Sequence, residues 1–243
     1  MNWSDEGVIL SVKPHGETAC IVDILTREHG RHAGLVHGGR GRKLRPVLQV
    51  GNHVDVTWKA RLQDQLGFFT VELRTGYAAG AMQDAAALTG LTSICALSRL
   101  LPERDPHPDH FEITLFVLGY LDAPEIWPAL YVRWELSLLK ELGFGLDLTS
   151  CAATGGNDYL VWVSPKSGRA VSASAGEPYR DKLLPLPAFL VGAHRQAVTM
   201  RDVMDGLTLT GTFLKSRVLD PAELTMPEPR HRLVSALGRM PQH

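Results

Sequence analysis

The chain has 243 residues, 44% of them hydrophobic and 21% charged, which is typical of a globular protein with one large domain or two small ones. No apolar run reaches the roughly 18 residues that a transmembrane helix needs, and the acidic first six residues lack the features of a signal peptide. The three cysteines are odd in number and far apart, which argues against a disulfide framework. We therefore predict a cytoplasmic protein with reduced thiols and no membrane association.

The net charge of −1 conceals an uneven distribution. Residues 27–45 contain six basic residues and one acidic residue, so the rest of the chain has 19 basic and 25 acidic residues. A local excess of cations in a mildly acidic protein indicates a confined anion-binding surface. A solvated loop with incidental charge is the alternative interpretation.

Five short segments in the first 75 residues show the pattern of β-strands. They cover residues 8–12, 19–25, 31–37 and 53–61, and a fifth begins at Gly67. Apolar and polar residues alternate along them, and glycine-containing turns separate them. Strands this short would leave exposed edges unless the sheet closed on itself. The sequence therefore predicts a small antiparallel barrel.

The pattern becomes helical after about residue 79. Helical segments cover residues 83–101, 110–121, 126–142, 199–219 and 229–240, and a shorter one surrounds Phe189. Residues 149–176 interrupt them with a β-like pattern. The predicted fold class is α+β with two domains: a barrel over residues 1–78, and a mainly α-helical domain with a small β-like insert over residues 79–243.

Binding of single-stranded nucleic acid requires cations for the phosphates and aromatic faces for the bases. The barrel segment has cations between Gly38 and Pro46, and Phe68 lies on the polar face of its strand. This ring could stack a base or cap the barrel against the helical domain. The candidate DNA-binding residues are Arg27, Arg31, Arg40, Arg42, Lys43, Arg45, Lys59, Arg61 and Phe68.

The sequence contains no motif for covalent chemistry. The glycine-rich residues 34–43 lack the ending of a P-loop and the spacing of a dinucleotide-binding fingerprint. There is no nucleophile elbow and no His-Glu-x-x-His motif. His29, His32 and His37 lie among arginines that would repel a cation, and we interpret them as surface-loop histidines. We predict no enzyme activity, no cofactor and no bound metal.

Several segments, in the same order, resemble the RecO family of bacterial recombination mediators. They are Gly7-Val8-Ile9-Leu10 with Gly16-Glu17-Thr18, Thr26-Arg27-Glu28-His29-Gly30 with Gly38-Gly39-Arg40, the helix from Arg133-Trp134 to Gly143-Phe144, and Ser164-Pro165 before Gly168. The resemblance implies an oligonucleotide-binding (OB) barrel for single-stranded DNA, with double-stranded DNA as a further ligand. It implies a nucleoid-associated protein that anneals complementary strands and, with RecR, assists RecA loading during DNA repair.

The insert departs from the family pattern. Many family members have a zinc finger of two Cys-x-x-Cys pairs in this segment. Here Cys151 keeps the first position, whereas Thr154, Ser172 and Ala175 stand at the other three. Because one thiolate without an imidazole cannot form a closed tetrahedral site, we expect the framework of the insert without the metal.

The resemblance also implies that the helical domain binds the acidic, apolar-ended C-terminal tail of single-stranded DNA-binding protein. Such a tail requires an apolar pocket rimmed by cations. The candidate partner-binding residues are Arg133, Trp134, Leu138, Lys215 and Arg217. The alternative is that the two apolar residues belong to the core and the three cations to the ordinary surface.

Three other functions compete with single-strand DNA binding. One is an enzyme of unrecognised type, which no acid–base or nucleophile constellation supports. A second is a protein-interaction adaptor whose barrel does not bind DNA. The third is an RNA-binding barrel, since stacking and phosphate contacts do not distinguish the two sugars.

Overall fold

The structure is a computed structural model that describes residues 1–62, 65–192 and 197–240. The chain divides into two compact units. The first contains Met1–Pro124 with Pro227–Arg230, and the second contains Glu125–Met226 with the residues from His231 onward. The α+β class, with a barrel followed by helices, is confirmed. The boundary at residue 78 stays a prediction, and the three helices between Tyr77 and Gly119 belong to the compact unit of the barrel.

Five strands form a closed barrel in the order β1-β2-β3-β5-β4. They are β1 (Asn2–His15), β2 (Ala19–Thr26), β3 (Gly30–Val36), β4 (His53–Lys59) and β5 (Phe68–Thr75). The long strand β1 pairs with β4 through its first half and with β2 through its second half. A parallel contact between Leu35 of β3 and Phe68 of β5 closes the barrel, so pairing is continuous around it.

The barrel interior follows the period of two along the strands. On β4, Val54, Val56 and Trp58 are buried, which confirms the predicted alternation. On β5, Phe69 points inward and fills space that Gly34 leaves, because a Cβ on Gly34 would lie 2.4 Å from the Phe69 ring. This inward position of Phe69 directs the side chain of its neighbour, residue 68, to the outside.

In the described part of the first unit, three α-helices follow the barrel. They are α1 (Tyr77–Ala81), α2 (Ala85–Ser98) and α3 (Pro108–Gly119). The side chain of Asp84 caps α2 by accepting a hydrogen bond from the Ala87 N–H at 2.7 Å. A proline at the first position of α3 needs no hydrogen-bond partner for its nitrogen.

Within the described residues, the rest of the chain contains four α-helices, short 3₁₀ helices at Glu177–Lys182, Ala188–Leu190 and Asp220–Ala222, and a small sheet. The α-helices are α4 (Trp127–Glu141), α5 (Ala173–Gly176), α6 (Met200–Phe213) and α7 (Glu228–Leu237), and a π-helical turn (Leu214–Leu219) extends α6. Strands β6 (Leu160–Val163), β7 (Ala170–Ser172) and β8 (Leu184–Pro185) form a three-stranded sheet. The first two strands lie in the predicted β-like insert, and β8 follows it. None of the described helices is long and apolar enough to cross a membrane.

Candidate nucleic-acid interface

The connection between β3 and β4 is a series of turns fixed onto the barrel. Leu44, Val47 and Leu48 pack against the barrel core. The Leu48 N–H donates to the Leu44 carbonyl at 2.8 Å, with the four-residue spacing of a helical turn. The apolar side chains of this connection therefore face inward, and its own packing and hydrogen bonds hold the connection on the barrel.

The cations of the connection face the solvent. We name residues 40–45 the basic turn. Arg42, Lys43 and Arg45 are exposed, and their side chains form no ion pair with any residue in the described ranges. An incoming phosphate can therefore pair with these three cations without breaking an internal salt bridge.

Arg40 anchors the basic turn to the hairpin between β1 and β2. Its Nη1 donates to the carbonyl oxygens of Gly16 and Glu17, both at 3.0 Å. Its backbone N–H donates to the carbonyl oxygen of Thr18 at 3.0 Å. Because a guanidinium has five N–H donors, Arg40 keeps donors for a phosphate while it holds the turn.

An aromatic pair and further cations lie where the connection leaves β3. Lys59, the last residue of β4, is paired with Phe68, the first residue of β5. Phe68 is 49% exposed, and its ring stacks on His37, with the ring centroids 4.9 Å apart and the planes 17° from parallel. Arg61 is exposed just beyond β4. We name this surface, with the basic turn, the basic end of the barrel.

His37 is the residue that sequence reasoning missed at this surface. The sequence indicated only a surface-loop histidine, and its position directly after a strand and before a glycine is a weak signal. The contact with Phe68 depends on the parallel register of β3 against β5. No local pattern encodes that register.

Arg27 and Arg31 lie at the opposite end of β3, near the β2–β3 turn, and the structure does not bring them to the basic end. Arg27 pairs with Glu6 at 3.0 Å and also with Glu112. Arg31 is 15% exposed and pairs with Asp23 at 2.9 Å. Their guanidinium groups stabilise the first unit, and Arg31 in particular is not available to a phosphate while these bonds hold.

An acidic strip lies on the outer faces of β4 and β5. Asp55 and Glu72 are paired across these two strands, and both are exposed. Their charges repel a phosphate backbone. The basic end is therefore electrostatically favoured over this strip as a path for a nucleic-acid strand.

The predicted partner-binding residues do not form an apolar pocket. Trp134 and Leu138 are 0% exposed and belong to the core, so neither can contact a tail peptide in this conformation. Arg133 donates to the Phe189 carbonyl at 2.6 Å. Lys215 pairs with Asp220 at 2.8 Å, and Arg217 donates to the Lys166 carbonyl. The apolar stripe on α4 is covered by the protein's own chain, and the sequence pattern could not distinguish this from an open groove.

The insert gathers hydrogen-bond donors around the sulfur of Cys151. The Ser172 N–H donates to Sγ at 3.3 Å, and the Sγ–Oγ distance to Ser172 is 3.5 Å. Burial raises the pKa of the Cys151 thiol, but hydrogen bonds from Thr154 and Ser172 lower it to about 6. These residues do not fit a zinc ion, since the set supplies one thiol and two hydroxyl groups. In the described ranges no group of three His, Cys, Asp or Glu residues is placed to hold a metal.

A closed five-stranded barrel with cations and an exposed aromatic pair at one end is typical of the OB-fold proteins that bind single strands. The sequence comparisons then identify the family. The model "Recombination protein O N terminal" matches residues 1–77, and "Recombination protein O C terminal" matches residues 82–223. The chain therefore belongs to the RecO family of DNA repair proteins.

Relatives similar to this chain over nearly their whole length support the same assignment. A DNA repair protein RecO of Methylorubrum extorquens is 54% identical over 243 residues, which cover 98% of each chain. One of Rhodospirillum centenum is 52% identical over 237 residues, covering 96% of this chain and 94% of the relative. One of a Chelativorans species is 46% identical over 239 residues, covering 98% and 96%.

Proposed function

We propose that this protein binds single-stranded DNA across the basic end of the barrel, anneals complementary strands and assists RecA loading in DNA repair. It acts in the cytoplasm, associated with the nucleoid, and carries out no covalent chemistry. Its partners are RecR and the C-terminal tail of single-stranded DNA-binding protein. An adaptor without DNA binding and an RNA-binding barrel are the alternatives that the experiment below separates.

The basic turn carries this proposal. It offers three exposed cations, Arg42, Lys43 and Arg45, on a connection that the barrel core and Arg40 already hold in place. A preformed site loses little conformational entropy when it binds. Arginine suits the bidentate contact that phosphate oxygens favour.

The partner proposal has a different basis. It follows from membership of the family and not from a pocket at Trp134 and Leu138, which are buried. Of the predicted partner-binding cations, Lys215 and Arg217 remain exposed on the second unit, where they could contact an acidic peptide. A tail peptide that binds Lys215→Ala/Arg217→Ala as tightly as it binds the parent would place the peptide site elsewhere.

The test of DNA binding is a salt titration. The parent protein and the variant Arg42→Gln/Lys43→Gln/Arg45→Gln are titrated into a fluorescein-labelled oligodeoxythymidine at several salt concentrations, and anisotropy gives the affinity. Each lost phosphate contact reduces the slope of log K against log salt by roughly 0.7 on a single strand. Loss of three contacts is therefore expected to reduce the slope by about 2 and to weaken binding at low salt.

The matched control removes the same charge elsewhere. Lys166, Lys182 and Arg239 are exposed, and their replacement by glutamine is expected to leave the slope nearly unchanged. If the parent protein shows no salt-dependent binding to the DNA strand, the result favours the adaptor hypothesis and contradicts the proposal. Stronger binding to an RNA strand of the same length favours the RNA-binding barrel.

A further inference from the structure

The outer side of α3 is apolar, although the exposed side of a surface helix is usually polar. Ile113, Phe116 and Tyr120 are 37%, 52% and 39% exposed. They follow one another at spacings of three and four residues, so their side chains form one stripe about two turns long. We name these three residues the α3 face. The other side of the helix is apolar as well, with Phe111 and Val117 buried. A helix that is apolar on both sides is typical of one that is covered on both sides.

Two aromatic rings form the centre of the α3 face. The ring centroids of Phe116 and Tyr120 lie 4.8 Å apart, and the ring planes are tilted by 47°. Both rings project from a regular helix whose other side is buried. Because such rings have few rotatable bonds, they lose little conformational entropy on binding, and aromatic residues are common anchors at protein interfaces.

Carboxylates flank the α3 face at both ends. Residues 103–124 contain five acidic residues and one arginine. Asp109 lies one turn before Ile113 on the same side of the helix, and Asp122 follows Tyr120 by two residues. Both carboxylates are exposed, and neither forms an ion pair with another residue in the described ranges. Their charges are therefore available to a partner.

The charge of this region favours one kind of occupant. A second copy of the chain would bring the same carboxylates against these, and like charges repel. An acidic peptide and the phosphate backbone of DNA are disfavoured for the same reason. A segment with apolar residues along one side and lysine or arginine beside them complements both the stripe and its charge. Three apolar residues at helical spacing also match the anchors of an amphipathic helix.

We propose that the α3 face is a docking site for a basic amphipathic helix of another protein. The apolar side chains of that helix pack on Phe116 and Tyr120, and its cations pair with Asp109 and Asp122. A patch of two helical turns fits a transient contact and not a permanent one. The inference does not depend on the proposed DNA binding, because the two sites use different residues of opposite charge.

Synthetic peptides test the chemistry of the partner. The probe is a fluorescein-labelled helical peptide with leucines along one side and lysines on the other. A second peptide has glutamate in place of every lysine, and a third has the composition of the probe with its leucines spread around the helix. Each is titrated with the parent protein at several salt concentrations, and anisotropy gives the affinity. The lysine peptide is expected to bind at least about 10-fold more tightly than either of the others.

Two variants of the protein remove the two parts of the site. Phe116→Ser/Tyr120→Ser removes the aromatic anchors and is expected to weaken binding of the lysine peptide roughly 5- to 30-fold. Asp109→Asn/Asp122→Asn is expected to weaken binding at low salt and to reduce its salt dependence. Circular dichroism checks that each variant is folded. The second variant changes exposed residues only, so it keeps the test valid if the first does not fold.

The matched controls carry equivalent changes elsewhere. Tyr159 and Tyr179 are 84% and 61% exposed, and Tyr159→Ser/Tyr179→Ser is expected to bind the lysine peptide as the parent does. Asp158→Asn/Asp181→Asn removes the same charge from two other exposed positions and is also expected to change nothing. All four variants are expected to bind a DNA strand like the parent, because the basic turn is unaltered.

The outcomes separate this inference from the proposed function. Equal affinity of the parent for the lysine and glutamate peptides, or no binding of the lysine peptide, would overturn the docking site. Undiminished binding by folded Phe116→Ser/Tyr120→Ser would also overturn it. Sedimentation equilibrium tests the other occupant, since a parent dimer that this variant abolishes would show that a second copy covers the α3 face. None of these results changes the salt titration on DNA, which tests the proposed function alone.

Discussion

Three substitutions in the insert are expected to create a zinc site. Thr154→Cys, Ser172→Cys and Ala175→Cys add three thiols to Cys151 at the positions where the family resemblance places ligands. The Ser172 Oγ lies 3.5 Å from the Cys151 sulfur. Sulfurs in a tetrahedral zinc site are about 3.8 Å apart, since the Zn–S distance is about 2.3 Å. The insert therefore needs to adjust by only a few tenths of an ångström on that edge.

The expected affinity follows from structural zinc sites in small domains. Binding free energies of about 10–16 kcal/mol correspond to dissociation constants of roughly 10⁻⁷ to 10⁻¹² M. The triple variant is expected to retain about one equivalent of zinc after dialysis against a weak chelator, measured by elemental analysis. Zinc is also expected to raise its melting temperature, because the ion binds the folded state.

The control carries the same three substitutions together with Cys151→Ser, which leaves three thiols. It is expected to lose zinc on the same dialysis. The parent protein is expected to bind no zinc, because the groups around the Cys151 sulfur form hydrogen bonds with it instead of binding a metal. A folded triple variant that retains no zinc would refute the reasoning that the insert keeps the geometry of a metal site.

Two further predictions concern a thiol and an ion pair. The pKa of the Cys151 thiol is lowered from 9.0 to about 6 in the folded protein. The thiolate therefore stabilises the folded state fully above pH 9, and this stabilisation is lost as the pH falls through about 6. Urea denaturation is expected to show the difference in unfolding free energy between parent and Cys151→Ser growing from pH 6 to pH 9, and a constant difference would contradict this. Arg31→Gln is expected to lower the unfolding free energy by about 1–3 kcal/mol, because it removes the bond to the largely buried Asp23, and to leave DNA affinity unchanged. Arg42→Gln on the surface is the control, with an expected change below about 0.5 kcal/mol, and equal losses in both variants would argue against the structural role of Arg31.

The amino-acid sequence by itself determined the barrel and the order of the helical elements. The alternation of Val54, Val56 and Trp58 is a local property of one strand, and the structure buries all three. The cation-rich residues 40–45 are also visible in the sequence because they are adjacent in the chain. The absence of three of the four zinc ligands in the insert could be predicted from the residue types alone. These features depend on neighbours in sequence, which is why local patterns report them.

Only the tertiary structure decided which residues share a surface. The stacking of His37 on Phe68 depends on a parallel register between strands that are far apart in the chain. By residue type alone, Arg31 is indistinguishable from the arginines of the basic turn. In the structure, however, it lies at the other end of β3 and pairs with the largely buried carboxylate of Asp23. Trp134 lies on an apolar stripe that could face a partner, and the fold covers that stripe instead. A helix pattern identifies an apolar face but not what covers it, because that depends on long-range packing.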